Sequence, residues 1–438
     1  MRIKKTVRKC STLILVLCIA FMLLASCSQE GDDTHPLPIV VASPSPGTDT
    51  ADSSNATATD HLSPKHTEPF PGKIAIITHT ADYAEEEYRS ADALVAKYGV
   101  DKVKHRTWPV DFADGAEQMI ATLLEIASDP DVGAIIINRA ERNTNAAIDA
   151  VRALRGNEVF IVAASPAELP FEVAQRVDLA FDINTQLLGE HFAEQAIAMG
   201  AETIVHYSFS RHMDNTQLAM RRDAIRETAE RFAVSFVDRD TPDPAGDGGI
   251  QATARHVARD LQKMVDEFGT NTAFFGTNCA MQIPLITQVI ETGAIFPQPC
   301  CPSPYHGFPA ALGIDDRAPT GERNEAGEEI TALRDIREVI DETRNVIHAK
   351  GMSGRLSTWA VPVGMMWTSV GAEYAIAWLN SEAPQEYGII DLELLNKLAE
   401  DYAESQFGER IGVSLNALTQ DGRTYSNYIL GLVSFLTY

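Results

Sequence analysis

The sequence predicts an α/β protein of two lobes, each a parallel sheet flanked by helices. Three observations predict it. Short all-apolar runs, such as 74–77 and 134–137, read as strands buried on both faces. Segments with helical apolar spacing separate them. The alternation runs to about residue 183 and then begins again, which one sheet does not require.

The elements follow in order. Residues 73–78 form a short buried strand, 85–98 a helix closed by Gly99, and 102–108 a second strand. Met119, Ile120, Leu123, Leu124 and Ala127 have helical spacing, which Asp129-Pro130 ends. Residues 132–137 make an apolar strand, 144–154 a helix, 159–163 a strand and 178–183 another. In the second set, Leu188, Phe192, Ala196 and Met199 share a helix face ahead of a strand at 203–207. Helices at 216–232, 252–268 and 282–291 then alternate with strands at 234–237 and 273–275. Residues 317–329 read as a solvated polar insertion. A strand-like run at 355–363 and a helix at 369–379 return the chain to the first lobe. The tail reads as a helix from Asp391 through Tyr402 and then an irregular stretch. Its apolar end, 428–438, is expected to dock on the body or pair with a sheet.

The amino terminus sets the compartment. Arg2, Lys4, Lys5, Arg8 and Lys9 precede an apolar run that ends in Leu24-Ala25-Ser26-Cys27. That order is a secretory signal with a lipobox, so residues 1–27 are expected to direct export. Cys27 is expected to carry a diacylglycerol, palmitate-type anchor. Residues 28–71, rich in Ser, Thr, Pro, Asp and Ala, read as a disordered tether. Lobe 1 is then expected at 72–183, completed by about 364–438, and lobe 2 at 184–363. The expected location is the extracytoplasmic face of the cell membrane or outer membrane.

Composition excludes several classes. A net charge of −25 in 438 residues disfavours tracking a phosphate backbone, so no nucleic-acid partner is expected. Neither lobe carries GxGxxG or GxxxxGK[ST], and HExxH is absent. No cofactor or metal is assigned, and an enzyme is not the leading expectation.

In open α/β sheets, ligands bind beyond the carboxyl ends of the strands. Those ends nominate His79, Thr80, Trp108, Asn138, Arg139 and Ser165 in lobe 1, with Asp182 at the crossover. Lobe 2 nominates Ser208, Ser210, Arg211, His212, Asp240, Thr277, Asn278 and Cys279. Guanidinium forks suit carboxylate or phosphate, while Trp108 and Tyr305 could stack on a ring. A small polar ligand, anionic or ring-bearing, is expected.

Four stretches carry a family resemblance. They are Lys73-Ile74-Ala75-Ile76-Ile77-Thr78-His79, residues 205–213 from Val205 to Met213, Thr277-Asn278-Cys279-Ala280-Met281-Gln282, and residues 299–307 around Cys300-Cys301. They resemble an uncharacterised bacterial lipoprotein family known only as a domain of unknown function. The order of elements resembles the type I periplasmic-binding-protein fold. That resemblance implies two Rossmann-like lobes joined by a hinge, a small-molecule ligand, and an ABC-type permease or sensor as partner. In sugar-binding relatives a lobe-2 helix opens with Arg in an R-x-x-G-F pattern. Arg221-Arg222-Asp223-Ala224-Ile225 is similar and nominates Arg221, although Ala224 and Ile225 replace the Gly and Phe.

Once Cys27 is acylated, Cys279, Cys300 and Cys301 remain as thiols. A disulfide from Cys279 to one of the adjacent pair, a vicinal disulfide and a Cys/Cys/Cys/His metal site are the alternatives. The leading function is a lipid-anchored solute-binding protein. An extracytoplasmic Cys/His hydrolase or metal-dependent enzyme on the same scaffold is second. A DNA-binding regulator is third, and it would need a helix-turn-helix where the signal and tether stand.

Overall fold

The computed structural model describes residues 70–109, 115–323 and 327–438. The signal-like segment, Cys27 and the tether through residue 69 lie outside the described residues. Phe70, which the sequence reading left in the tether, is buried against Tyr98, with ring centroids 5.5 Å apart.

The chain opens with β1 (Lys73–Thr78), α1 (Glu85–Tyr98), β2 (Val103–Thr107), α2 (Ala116–Ala127) and β3 (Val132–Asn138). It continues with α3 (Thr144–Arg155), β4 (Phe160–Ala164), α4 (Pro170–Ala174) and β5 (Leu179–Ile183). Next come α5 (Thr185–Ala198), β6 (Thr203–Ser208), α6 (Ser210–Met213), α7 (Thr216–Arg231), β7 (Ser235–Asp240) and α8 (Gly249–Phe268). They are followed by β8 (Thr272–Gly276), α9 (Gln282–Thr292), α10 (Phe308–Leu312), β9 (Arg317–Arg323), β10 (Glu329–Leu333) and α11 (Ile336–Ala349). The last elements are β11 (Ser357–Trp359), α12 (Val363–Leu379), α13 (Leu392–Phe407), β12 (Val413–Gln420), β13 (Arg423–Val433) and β14 (Phe435–Thr437).

Two sheets result. The first is seven-stranded in the order β12-β13-β5-β4-β3-β1-β2, parallel except for the edge strand β12. The second is β7-β6-β8, all parallel. Isolated bridges extend it through Ala273 to Ile295 and Phe296 to Leu356, and β11 then pairs antiparallel with β14. The chain passes between the two sets of elements three times: after β5, between β11 and α12, and between β13 and β14.

Strand alternation explains the layering, because successive side chains point to opposite faces. In the first sheet, Ala75, Ile77, Ile135, Ile137, Ile161 and Ala163 cluster with Met119, Leu123, Ile148 and Val151 of α2 and α3. Their neighbours Ile74, Ile76, Ile136, Val162 and Phe181 belong to the cluster that holds Leu94 of α1 and Trp367 and Val370 of α12. In the second sheet, Ile204, Ala273 and Phe275 cluster with Phe192, Ala196 and Ile225 of α5 and α7. Val205, Tyr207 and Phe274 instead join Val257, Leu261, Leu285 and Val289 of α8 and α9. Both sheets are therefore apolar on two faces, as parallel sheets between helices must be.

Three expectations need correction. The described residues of 317–329 are mostly exposed, as expected, but they are regular: β9 and β10 form a hairpin, and Arg317 pairs with Glu85 of α1. The stretch after Tyr402 is not irregular, because α13 runs to Phe407 and β12 and β13 follow. Asp421 (φ 52°) and Gly422 (φ 73°) supply the two positive-φ residues that a tight hairpin requires between those strands. The strand-like run at 355–363 narrows to Ser357–Trp359, and α12 already begins at Val363.

Candidate functional site

The carboxyl end of β8 carries Thr277, Asn278 and Cys279, and a 3-10 turn begins at Cys279. Asn278 caps that turn through Oδ1, which accepts from the Ala280 N–H at 3.0 Å. Cys300 and Cys301 follow the bridge strand at Ile295 and Phe296, between Pro299 and Pro302. The side chain of Gln282 ties the two segments together. Its Nε2 donates to the carbonyls of Gly276 and Asn278 at 3.1 and 2.7 Å, and its Oε1 accepts from Cys300 N at 3.3 Å. Gln282 is almost wholly buried.

The consequence is a thiol cluster. Cys279 Sγ lies 3.8 Å from Cys300 Sγ, and Cys300 Sγ lies 3.9 Å from Cys301 Sγ. All three are free thiols in this structure, with Cys300 buried and the other two exposed. S–H donation from Cys300 and Cys301 pushes the Cys279 thiol down, helped by the nearby charge of Arg139. The same interactions push Cys300 up.

Arg139, from the first set of elements, lies close enough for its charge to act on Cys279 and Cys301. It follows β3 with φ 53°, a left-handed backbone that a non-glycine residue rarely adopts. Its Nε donates to Glu87 Oε1 at 2.9 Å. Ser165, at the end of β4, is likewise left-handed at φ 47°. From the second set of elements, Ser303 donates to Glu86 Oε1 at 2.6 Å. Burial, reinforced by the charge of Glu87, pushes the Glu86 carboxyl up to about 7.

Arg221 is the unusual cation. It is 5% exposed, and its Nε has no hydrogen-bond partner. Its guanidinium lies 4.9 Å from the centre of the Phe275 ring and feels the charges of Cys300 and Cys301. Among the described residues no carboxylate pairs with it. Burial alone pushes its proton affinity down, which measures how poorly the charge is compensated. Its position depends on Gly189 of α5, where a Cβ would overlap the Arg221 carbonyl.

The other nominated residues have more ordinary surroundings. Trp108 is buried in the first-sheet core and donates Nε1 to the Arg139 carbonyl at 3.2 Å, so it has no free face for a ligand ring. Asn138 is fully buried, and its Nδ2 donates to the Gly364 carbonyl at 2.7 Å and to Thr368 Oγ1. His79 Nε2 bonds Glu141 Oε1 at 2.9 Å, and Thr80 follows it, partly exposed. Asp182 accepts from Tyr428 at 3.0 Å, and burial pushes its carboxyl up to about 6. Ser208, Thr277 and His212 form a hydroxyl–hydroxyl–imidazole chain with steps of 3.0 and 3.0 Å. Arg211 gives both Nε and Nη2 to Asp243 at 2.8 Å on the surface, so its fork is already engaged. Ser210 opens α6, and Asp240 ends β7 exposed. Tyr305 donates to the Arg334 carbonyl at 2.7 Å. His306 donates from Nδ1 to the Cys301 carbonyl at 2.8 Å.

The sequence nominated Arg139, Arg221, Cys279, Cys300 and Cys301 separately, and the structure groups the three thiols within reach of both guanidinium charges. Sequence reasoning missed Glu86, Glu87, Ser303 and Gln282. The run Glu85-Glu86-Glu87 read as a dipole-favoured helix start, but three consecutive helical residues span about 200° of the helix surface, so they cannot all face solvent. Gln282 gave no signal, because a buried amide is defined by the two loops it joins.

Comparison with known proteins places this geometry. Residues 72–357 match the family described as "Protein of unknown function (DUF3798)". An uncharacterised protein of Treponema pallidum (strain Nichols) is 28% identical over 179 residues, which is 40% of this chain and 80% of that protein. A Clostridium difficile 630 crystal structure, provisionally described as a transcriptional regulator, superposes with a TM-score of 0.72 at 22% identity. That match covers 84% of this chain and 99% of the other. A periplasmic solute-binding protein of an ABC transporter from Actinobacillus succinogenes 130z, with bound D-allose, is 13% identical. It covers 74% of this chain and 99% of its own, with a TM-score of 0.44, and says nothing of this chain's ligand. The α/β fold of parallel sheets flanked by helices is shared with the Clostridium difficile structure. Among the described residues no helix is long and apolar enough to cross a membrane.

Proposed function

This chain belongs to the DUF3798 family, and from that premise and the junction geometry we propose that it is a lipid-anchored extracytoplasmic solute-binding protein. Residues 72–183 with 363–433 form one lobe, and 184–362 with β14, which returns to pair with β11, form the other, closing on a small anionic ligand. The expected assignment of the whole 364–438 tail to the first lobe is corrected by that pairing. The anchor is Cys27, and the partner is a membrane transporter or sensor that receives the ligand or reads its capture.

The observation that supports this reading is Arg221, a guanidinium with neither ion pair nor Nε partner among the described residues, close to the Cys300-Cys301 loop on which Arg139 of the other set also acts. A buried charge without compensation costs stability and is retained where a ligand supplies the counter-charge. Carboxylate or phosphate fits the fork. Of the nominated arginines Arg221 is therefore the principal anion contact, Arg211 being engaged with Asp243, and a ring-stacking role for Trp108 is dropped.

The test is native mass spectrometry of the full chain isolated without added ligand, followed by thermal shift with small carboxylates, phosphates and sugars. A co-purifying anion that raises Tm, is recovered unchanged, and loses its effect in Arg221→Met supports the reading. Conversion of the compound beyond one equivalent supports the enzyme alternative. No shift with any anionic compound rejects the binding role. Loss of acyl label and membrane retention in Cys27→Ser tests the anchor separately.

A further inference from the structure

We propose that Cys279, Cys300 and Cys301 form a three-thiolate site for copper(I). The Sγ atoms all lie within 4.8 Å of one another, with edges of 3.8 and 3.9 Å. Three sulfurs placed trigonally about a metal at about 2.3 Å stand roughly 4.0 Å apart. Two edges have that spacing before any ion is added and the third is no longer than 4.8 Å, even though two of the members are adjacent in sequence.

The donor set selects the metal. Among the described residues the group holds three thiols and no imidazole or carboxylate. Structural zinc closes its shell with four protein ligands, whereas thiolates select copper(I), which three sulfurs satisfy. Copper(I) with three thiolates carries two net negative charges. The surroundings suit that charge: Arg221 is buried without a carboxylate partner, and Arg139 stands near Cys279.

A second shell is already built. Gln282 bonds the carbonyls of Gly276 and Asn278 on one loop and the amide of Cys300 on the other, fixing the two loops' separation. Pro299 and Pro302 stiffen the backbone on either side of the pair. Binding takes in Cu(I) as such and releases the thiol protons to water, so no electron changes hands. The site needs neither lobe closure nor an organic ligand, but it draws on the same Arg221 charge as the solute-binding reading, so copper titration and anion thermal shift are read separately.

The test is anaerobic titration of the reduced full chain with copper(I) against a chromogenic copper(I) chelator, with X-ray absorption on the product. One tightly held copper per chain, with three sulfur neighbours at about 2.3 Å, is expected. Cys279→Ser, Cys300→Ser and Cys301→Ser should each weaken binding by more than about 100-fold, and Gln282→Leu by about 10–100-fold. The proposal is overturned by loss of all copper to the chelator, by equal affinity in the serine variants, or by a preference for zinc(II). A disulfide between Cys279 and Cys300 in the natively isolated chain also overturns it. If circular dichroism shows the variants unfolded, the sulfur count on the unaltered chain decides, and fewer than three rejects the site.

Discussion

Arg139 Nε donates to Glu87 Oε1 at 2.9 Å, joining the residue after β3 to a buried carboxylate in the first turn of α1. The carboxylate has room because Gly364, in the first turn of α12, has no side chain. A Cβ there would stand 2.7 Å from Oε1. Gly364→Ala should therefore cost about 1–3 kcal/mol, the usual range for overpacking. Urea denaturation should show a lower midpoint with an unchanged slope, and an unchanged midpoint would mean the carboxylate moves freely.

Arg221→Met keeps the apolar stem over Phe275 and removes the charge. The ligand-free protein should be at least as stable as the parent, because an uncompensated buried cation is gone. The anionic ligand should bind more than tenfold more weakly, a loss of about 1.4 kcal/mol or more. Calorimetry and thermal unfolding measure the two effects independently. A large fall in ligand-free Tm would mark Arg221 as a packing residue instead.

His191 gives the pH prediction. It packs against Phe435 with ring centroids 4.8 Å apart, and its buried Nδ1 has no partner. Burial pushes its pKa from 6.5 down to about 4. The unfolded chain therefore binds more protons between those values. The resulting stability is present above pH 6.5 and lost as pH falls towards about 4. His191→Leu should flatten the Tm profile across that window, and an identical slope in the variant would assign the acid sensitivity elsewhere.

Gly431 of β13 faces Trp367 of α12, which stacks on Phe181 with centroids 4.8 Å apart. A Cβ at Gly431 would overlap the indole, so Gly431→Ala should destabilise by about 2 kcal/mol or more. Chemical denaturation checks this. A smaller loss would show that the Trp367–Phe181 stack yields easily.

The strand and helix alternation was legible because it is written locally. The runs at 73–78 and 85–98 coincide with β1 and α1, since apolar period and flanking glycine decide them. The tail carried a signal that was not read. Val413, Leu415 and Ala417 alternate with polar residues, and Asp421-Gly422 follows as a hairpin turn. Ile336, Val339, Ile340 and Ile347 likewise mark the apolar face of α11, an element absent from the sequence reading. Strand-end positions nominated candidates, but they could not separate Asn138, turned inward to Thr368, from Arg139 beside it. Side-chain direction at a strand end depends on backbone angles that no periodicity encodes.

Trp359, on β11 just before the chain re-enters the first set of elements at α12, offers an optical handle. Its indole is fully buried, and its Nε1 has no partner. The other three tryptophans, Trp108, Trp367 and Trp378, belong to the first sheet and its helices. With those three replaced by phenylalanine, the emission colour of the single remaining indole would follow any swing of one half against the other in real time, without an added dye.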